Sequence, residues 1–226
     1  MKKIRILYIE FENEIASYEI PAFRSAVAKI AGNENIIFHN HLKEKFRYSY
    51  PLIQYKQINK HPVIICIDEG VEEIHHFFEK KQIGIILGER EYELKINKLN
   101  LNQFIMQVWD KTFYYHLRNW LPLNQKNYPE FKKTDNEIEQ IEYLEKIITG
   151  NILSFARGIE WEIDKKIQLR INKINDKKII TVKKVKREAY TIDFSTNVFI
   201  PNYIGLGKNA SLGFGVVKQK RKVSNE

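Results

Sequence analysis

Cysteine is nearly missing from this chain of 226 residues, where Cys66 stands alone. No disulfide can close within the chain, and the position of Cys66 inside the apolar run VIICI makes a buried, unreactive thiol the expectation. Long hydrophobic runs are missing as well. The opening stretch MKKIRILYIEFE has neither an extended apolar segment nor a small-residue cleavage site, so it reads as a first strand and not as a signal peptide, and a cytoplasmic location is expected. No basic helix with a clean apolar face is legible, which argues against a role at a membrane surface. Short-period repeats and low-complexity tracts are absent too, and only the tail KQKRKVSNE has the composition of a frayed end.

What is present describes a globular protein with a polyanionic partner. Hydrophobic residues make up 43% and aromatics 12%, enough to offset the entropy of ordering the chain. The length suits two compact domains of about 100 residues each. Lys and Arg outnumber Asp and Glu by 37 to 28, a formal charge of +9. That excess favours a polyanion through counterion release, and nucleic acid is the leading class.

The order of elements predicts the fold. Ile4 to Phe11 reads as a strand. IPAFRSAVAKIAG has Pro21 in a first helical turn, Phe23, Val27 and Ile30 on one side, and Gly32 past the end. YSYPLIQYKQI and HPVIICI form two strands joined at Asn59 and Lys60, with Pro51 at an edge or a bulge. VEEIHHFFEKK spaces Val71, Ile74 and Phe78 as a helix face, and IGIILG returns to an extended run. The resulting βαββαβ order is the ferredoxin-like arrangement, with helices on one face of an antiparallel sheet and the other face left free.

The second half repeats the theme less cleanly. FIMQVWDKTFYYHLRNWLPL is extended and aromatic, and Ile138, Ile141, Leu144 and Ile148 fall at helical spacing before Gly150. KIQLRINKI alternates strictly, Asn175 and Asp176 mark a turn, and KIITVKKVKREAYTIDF continues as a basic strand pair. A second helix there is weak. The fold class is therefore α+β, tandem ferredoxin-like (RRM-like) domains with antiparallel sheets, divided as 1–100 and 101–226.

The sharpest segment is GLGKNASLGFG, with glycines at 205, 207, 213 and 215 and Lys208 between the pairs. Glycines this dense allow positive φ and close backbone approach, which can expose N–H groups to phosphate oxygens. A plain glycine-rich turn between two strands is the alternative. A P-loop is excluded because Asn202 stands where its first glycine belongs, and a Rossmann loop is excluded because no helix and strand follow. Gly205-Leu206-Gly207, five residues, then Gly213-Phe214-Gly215 resembles the C-terminal glycine-rich loop of the RAMP superfamily of CRISPR proteins. Within it the chain is most similar to the repeat-processing endoribonucleases, the Cas-six type, which have this size and tandem ferredoxin-like domains. The resemblance implies binding of CRISPR repeat RNA (pre-crRNA) and a metal-independent 2′-hydroxyl attack that leaves a cyclic phosphate and a 5′-hydroxyl. It implies no cofactor. Other CRISPR effector subunits and a second copy of the chain stay open as further partners.

Such a cleavage needs a base, an acid and positive charge near the phosphate. FHNHLKEKFRYSYP combines these residue types most densely, and in the resembled family the catalytic histidine often follows the first helix. That location matches His41, favoured here, and His39, with Lys45 beside them; an extended stretch would aim both imidazoles at one face. Zinc on a His-x-His pair, helped by His75 and His76, lacks a sufficient ligand set, and those two read as solvent-side helix residues. His61 and His116 read as ordinary strand residues. Candidate RNA contacts are Arg24, Lys183, Lys184, Lys186, Arg187 and, in and after the glycine-rich loop, Gly205, Gly207, Lys208, Asn209, Ser211, Gly213, Gly215 and Lys218. Phe113, Tyr114, Tyr115 and Trp120 suit either base stacking or a core. A non-catalytic RAMP subunit coating guide RNA, and an RNA-binding protein unrelated to CRISPR, are the competing readings.

Overall fold

The computed structural model describes residues 1–32, 36–39, 50–79, 84–134, 136–182 and 184–220. In the first half, β1 (Lys2–Phe11), β2 (Ile53–Ile58), β3 (His61–Ile67) and a strand at Ile96–Met106 make one antiparallel sheet. Helix α1 (Ile20–Ala31) starts with Pro21 in its first turn, buries Phe23 and Val27, and stops at Gly32, whose φ is 100°. The short helix α2 (Ile36–His39) follows it, and α3 (Glu69–Glu73) and α4 (His75–Phe78) form the second helical layer. The turn at Asn59 and Lys60 holds both residues at positive φ, 50° and 72°, as a two-residue hairpin requires. Pro51 precedes β2, an edge strand, where its missing N–H breaks no ladder.

The strand that closes this sheet differs from the sequence reading. IGIILG supplies β4 (Gly84–Leu87), but it pairs only with β5 (Arg90–Glu93) in a separate hairpin. The closing strand is instead β6 (Ile96–Met106), which pairs with β1 from Lys2↔Met106 onward. No Gly, Pro, Asn or Asp stands between Gln103 and Trp109 to mark a break, yet the chain leaves the first sheet at Gln107 and enters the second. The order β2-β3-β1-β6 is the ferredoxin-like one.

The second sheet repeats that order with β7 (Val108–Trp120), β8 (Leu169–Val182), β9 (Val185–Val198) and β10 (Val216–Lys220), arranged β10-β7-β9-β8. A short helix α5 (Tyr128–Lys133) and the 22-residue α6 (Glu137–Gly158) lie between β7 and β8, with Asn136 capping α6 through the Ile138 N–H. Between β9 and β10 the second helix of the plan is replaced by the glycine-rich segment, which keeps one helical turn at Ala210–Leu212. The turn expected at Asn175 and Asp176 is not a turn. β8 runs through it with a register shift between Ile174 and Asp176, a bulge that absorbs the extra residue, and the chain reverses next to Lys184, at φ 63°.

The face of the first sheet expected to be free is covered. Leu7, Ile9 and Phe11 point toward α1 and α4, whereas Ile4, Ile6, Val63, Ile65 and Ile67 join one apolar core with Leu144, Ile148, Phe155, Ile192 and Ile204 of the second half. Ring contacts cross the junction at Tyr50–Phe155 (5.1 Å), Tyr8–Tyr203 (5.6 Å) and Phe104–Phe199 (5.6 Å). Phe113, Tyr115 and Trp120 belong to that core, so of the four candidate stacking residues only Tyr114 stays partly accessible. No described helix is long and apolar enough to cross a membrane.

Candidate nucleic-acid interface and cleavage site

The glycine-rich segment is tied to the opposite half of the molecule by three side chains flanking or on β2. The Gly205 N–H donates to Gln54 Oε1 at 2.9 Å, the Tyr50 hydroxyl donates to the Gly205 carbonyl at 2.7 Å, and Gln54 Nε2 donates to the Tyr50 oxygen at 2.8 Å. Lys56 Nζ donates to the Ala210 carbonyl at 3.1 Å, and Lys56 is 0% exposed. Burial, with Arg118 adding repulsion, pushes the Lys56 ammonium down to about 7.

The four glycines are explained first by these internal approaches. A Cβ on Gly215 would lie 1.9 Å from the Leu206 carbonyl oxygen, and one on Gly205 would lie 2.7 Å from that of Ala210. Gly207 leaves no room beside the Trp120 indole, whose N–H donates to Asn151 at 2.9 Å, and Gly213 sits against Ile20. The Gly205 and Gly215 amides are occupied within the protein, the latter by the Asn119 carbonyl at 3.1 Å. The accessible part of the segment is its middle. Lys208 is exposed, and Gly207, Asn209, Ser211 and Gly213 are half-exposed, with Asn209 and Gly213 in left-handed backbone geometry around the helical turn. Lys218 follows on β10 and is exposed.

That exposed middle lies at the corner of the first domain where α1 begins. Leu212 is buried in the helix-side core with Ile20, Phe23 and Tyr55. Arg24, half-buried on α1, is held below its ordinary value by burial, an effect opposed by Tyr55. The Tyr55 hydroxyl itself is buried without a hydrogen-bond partner among the described residues. α2 packs beside α1 through buried Phe38, and its last residue is His39. The backbone at His39 is therefore helical, and the extended His-x-His geometry does not begin there. The His39 side chain, His41 and Lys45 lie outside the described residues, as does Lys183.

The remaining basic candidates lie on the β8–β9 hairpin. Lys184 and Lys186 are exposed at its tip and Arg187 is half-buried. Two nearby exposed lysines reach the same largely buried acid. Lys177 and Lys132 approach Glu188 at 3.2 and 3.3 Å, and although burial opposes it, hydrogen bonds from Tyr190 and both lysines hold that carboxyl below its ordinary value. His75, His76 and Glu79 bring ligand-type atoms within 4.8 Å of one another on the surface of α4, where both imidazoles make loose contacts of 3.7 to 3.8 Å with Glu73 and Glu79.

Comparison with known proteins gives this arrangement its lineage. Residues 2–105 match the Cas6b N-terminal domain and residues 107–220 match the Cas6b C-terminal domain. The chain belongs to the Cas6b family. A crystal structure of Cas6b superposes with a TM-score of 0.87 at 28% identity, covering 97% of this chain and 100% of that one. A second, described as the CRISPR RNA processing endoribonuclease Cas6b, gives a TM-score of 0.70 at 26% identity over the same shares. A Methanocaldococcus jannaschii protein, uncharacterized protein MJ0978, is 36% identical over 141 residues, which is 59% of this chain and 95% of that protein.

In this Cas6b-family chain the residues that hold the glycine-rich segment in place carry only a faint mark in the sequence. Gln54 and Lys56 are polar positions two apart on a strand otherwise rich in apolar and aromatic residues, and that spacing was the available sign that one face of β2 meets polar partners. His116, by its sequence neighbours an ordinary strand residue, faces an acid across the sheet. His116 Nδ1 lies 2.7 Å from Asp193 Oδ1, and Lys220 Nζ donates to Asp193 Oδ2 at 2.7 Å. The alternation of Thr191, Asp193, Ser195 and Asn197 along β9 was the legible sign of a polar sheet face.

Proposed function

We propose that the chain is an endoribonuclease that binds CRISPR repeat RNA and cuts precursor crRNA without a metal. A 2′-hydroxyl attacks the adjacent phosphate, and the products carry 2′,3′-cyclic phosphate and 5′-hydroxyl ends. The observation that carries this reading is the docking of the glycine-rich segment on β2 and the first turn of α1 with its middle left accessible, while α2, which ends at His39, packs against the same helix. Membership of the Cas6b family supports it.

In this reading His41, or His39, acts as the base or acid, and Lys45 offsets charge on the crowded phosphate. Arg24, Lys208 and the half-exposed backbone around Asn209, Ser211 and Gly213 bind phosphates near the cut. Lys183, Lys184, Lys186 and Arg187 grip the RNA stem through its backbone, with Lys218 beside the segment. Gly205 and Gly215 act by shaping the loop, since their amides are already bonded.

The test is incubation of the purified protein with repeat RNA in EDTA, followed by end-group analysis. Cleavage with a cyclic phosphate end, abolished by a single 2′-deoxy substitution at the attacking nucleotide, is expected. RNA that is bound but left uncut would assign the chain to the non-catalytic RNA-coating role. Cleavage that survives His39→Ala together with His41→Ala would move the catalytic role to other residues.

A further inference from the structure

The second sheet has one face packed on α6 and the shared core, and one face that carries no helix among the described residues. Cross-strand pairing assigns the residues of that open face. On β7 it holds Tyr114 and His116; on β10, Lys218 stands opposite His116 and Lys220 opposite Tyr114. On β9, Asp193 stands opposite His116 and Ser195 opposite Tyr114, and β8 adds Arg170 and Lys173 opposite Ser195 and Asp193. Arg170, Lys173, Lys218 and Lys220 are all exposed.

The acid at the centre of this face is already engaged. Asp193 has a side chain only 17% exposed, and its two oxygens are taken by His116 and Lys220 at 2.7 Å each. Burial raises the Asp193 carboxyl, but these two contacts outweigh it and hold the group ionised. An ionised carboxylate on Nδ1 makes that nitrogen the donor and leaves Nε2, at the far side of a ring 36% exposed, to meet a partner from outside. The imidazole is thus fixed in one orientation among exposed cations, with a tyrosine ring and small polar side chains alongside. That combination suits a single RNA strand, whose phosphates meet the cations and whose unpaired bases meet the ring and the polar edges. An A-form duplex would bring only its backbone to so flat a surface.

We infer that the open face of the second sheet, centred on His116 and Asp193, binds a single-stranded segment of RNA flanking the folded repeat. This rests on the RNA reading above but, Lys218 apart, uses residues other than those assigned to the cleavage corner and to the tip of the β8–β9 hairpin. It assigns His116 a contact with RNA, and Asp193 the role of positioning it.

Fluorescence anisotropy tests it with three RNAs: a repeat stem-loop carrying a single-stranded flank, the same stem-loop trimmed of its flank, and an oligouridylate. His116→Gln combined with Lys173→Glu is expected to weaken binding of the flanked RNA and of oligouridylate by about tenfold, with a salt dependence shallower by roughly one neutralised phosphate. Binding of the trimmed stem-loop should change by less than about twofold, the scatter expected for a remote surface change. Lys173→Glu alone, on an exposed side chain, carries the same test with a smaller loss if the double variant does not fold. Equal affinity of variant and wild type for the flanked RNA would overturn the proposal, and so would an equal loss on the trimmed stem-loop. If the wild type shows no preference for repeat RNA while oligouridylate binding still depends on His116 and Lys173, the sheet face stands and the repeat-processing reading falls.

Discussion

Lys56 is a cation without exposed surface, bonded to a carbonyl of the segment it supports, and its proton is correspondingly easy to lose. An ordinary lysine titrates at 10.5, whereas Lys56 is held at about 7. Between those values the unfolded chain binds a proton that the folded chain has released, so the cost of burying this side chain is largest below pH 7 and fades as pH rises through the window. Wild-type stability in urea is therefore expected to climb between about pH 7 and pH 9.5, while Lys56→Met should lose that slope. The buried hydroxyls of Tyr50 and Tyr55, pushed well above their ordinary range by burial, pull the other way only at higher pH. Parallel pH profiles for the two proteins would rule out Lys56 as the source. Gly215 makes a sharper demand. Its φ is 60° and a Cβ would fall 1.9 Å from the Leu206 oxygen, a backbone atom with little room to yield. Gly215→Ala should cost ~3 kcal/mol or more in chemical denaturation, because strain and overlap add. Lys208→Ala, at the exposed middle of the same segment, should leave stability within about 0.5 kcal/mol and weaken RNA binding. A destabilisation of similar size in both would mean the segment is uniformly structural.

At the scale of elements, the cations on and beside the β8–β9 hairpin divide into those paired with an acid and those at its tip. Lys132 and Lys177 stabilise Glu188, whose side chain is 10% exposed, whereas Lys184 and Lys186 lie at the exposed tip. Alanine at Lys184 and Lys186 is expected to reduce the slope of log affinity against log salt by roughly 0.7 to 0.9 for each phosphate left without its cation, with thermal stability unchanged. Lys177→Ala should show the reverse pattern, a lower unfolding midpoint and a nearly unchanged salt slope; filter binding across a potassium chloride series, alongside thermal melts, distinguishes them. The sequence revealed elements wherever local chemistry marks their ends. Pro21 and Gly32 bracket α1, and Asn59 with Lys60 turn the first hairpin. It misled where tertiary pairing overrides a local sign. Asn175 and Asp176 look like a turn but are absorbed as a bulge by a partner strand of equal length, and FIMQVWDKTFYYHLRNWLPL reads as one extended run although its first three residues belong to the first sheet and Val108–Trp120 to the second. The glycine spacing pointed to the loop and the family. It did not disclose Tyr50, Gln54 or Lys56, because their partners lie far along the chain, at separations of 155, 151 and 154 residues.

For the whole molecule, the decisive feature is that the two ferredoxin-like units share a core. Ile4, Ile6, Val63, Ile65 and Ile67 are buried in one cluster with Leu144, Ile148, Phe155, Ile200, Ile204 and Leu206 of the second half. A sheet buried on both faces loses much of its driving force if one cover is removed, since burial contributes about 25 cal/mol per Å² of apolar surface. The polar ties at the junction add direction to that apolar contact, because Tyr50 and Gln54 satisfy both the N–H and the carbonyl of Gly205. Separating the chain after Met106 exposes this surface on both fragments and leaves the glycine-rich segment without the strand that shapes it. The fragments 1–106 and 107–226, made separately, are expected to aggregate or to lack a cooperative melt. Produced together they should associate into a complex with native-like near-ultraviolet circular dichroism. Two soluble monomers that each melt cooperatively and do not associate would show that the halves are independent, and the loop would then have to keep its shape without β2.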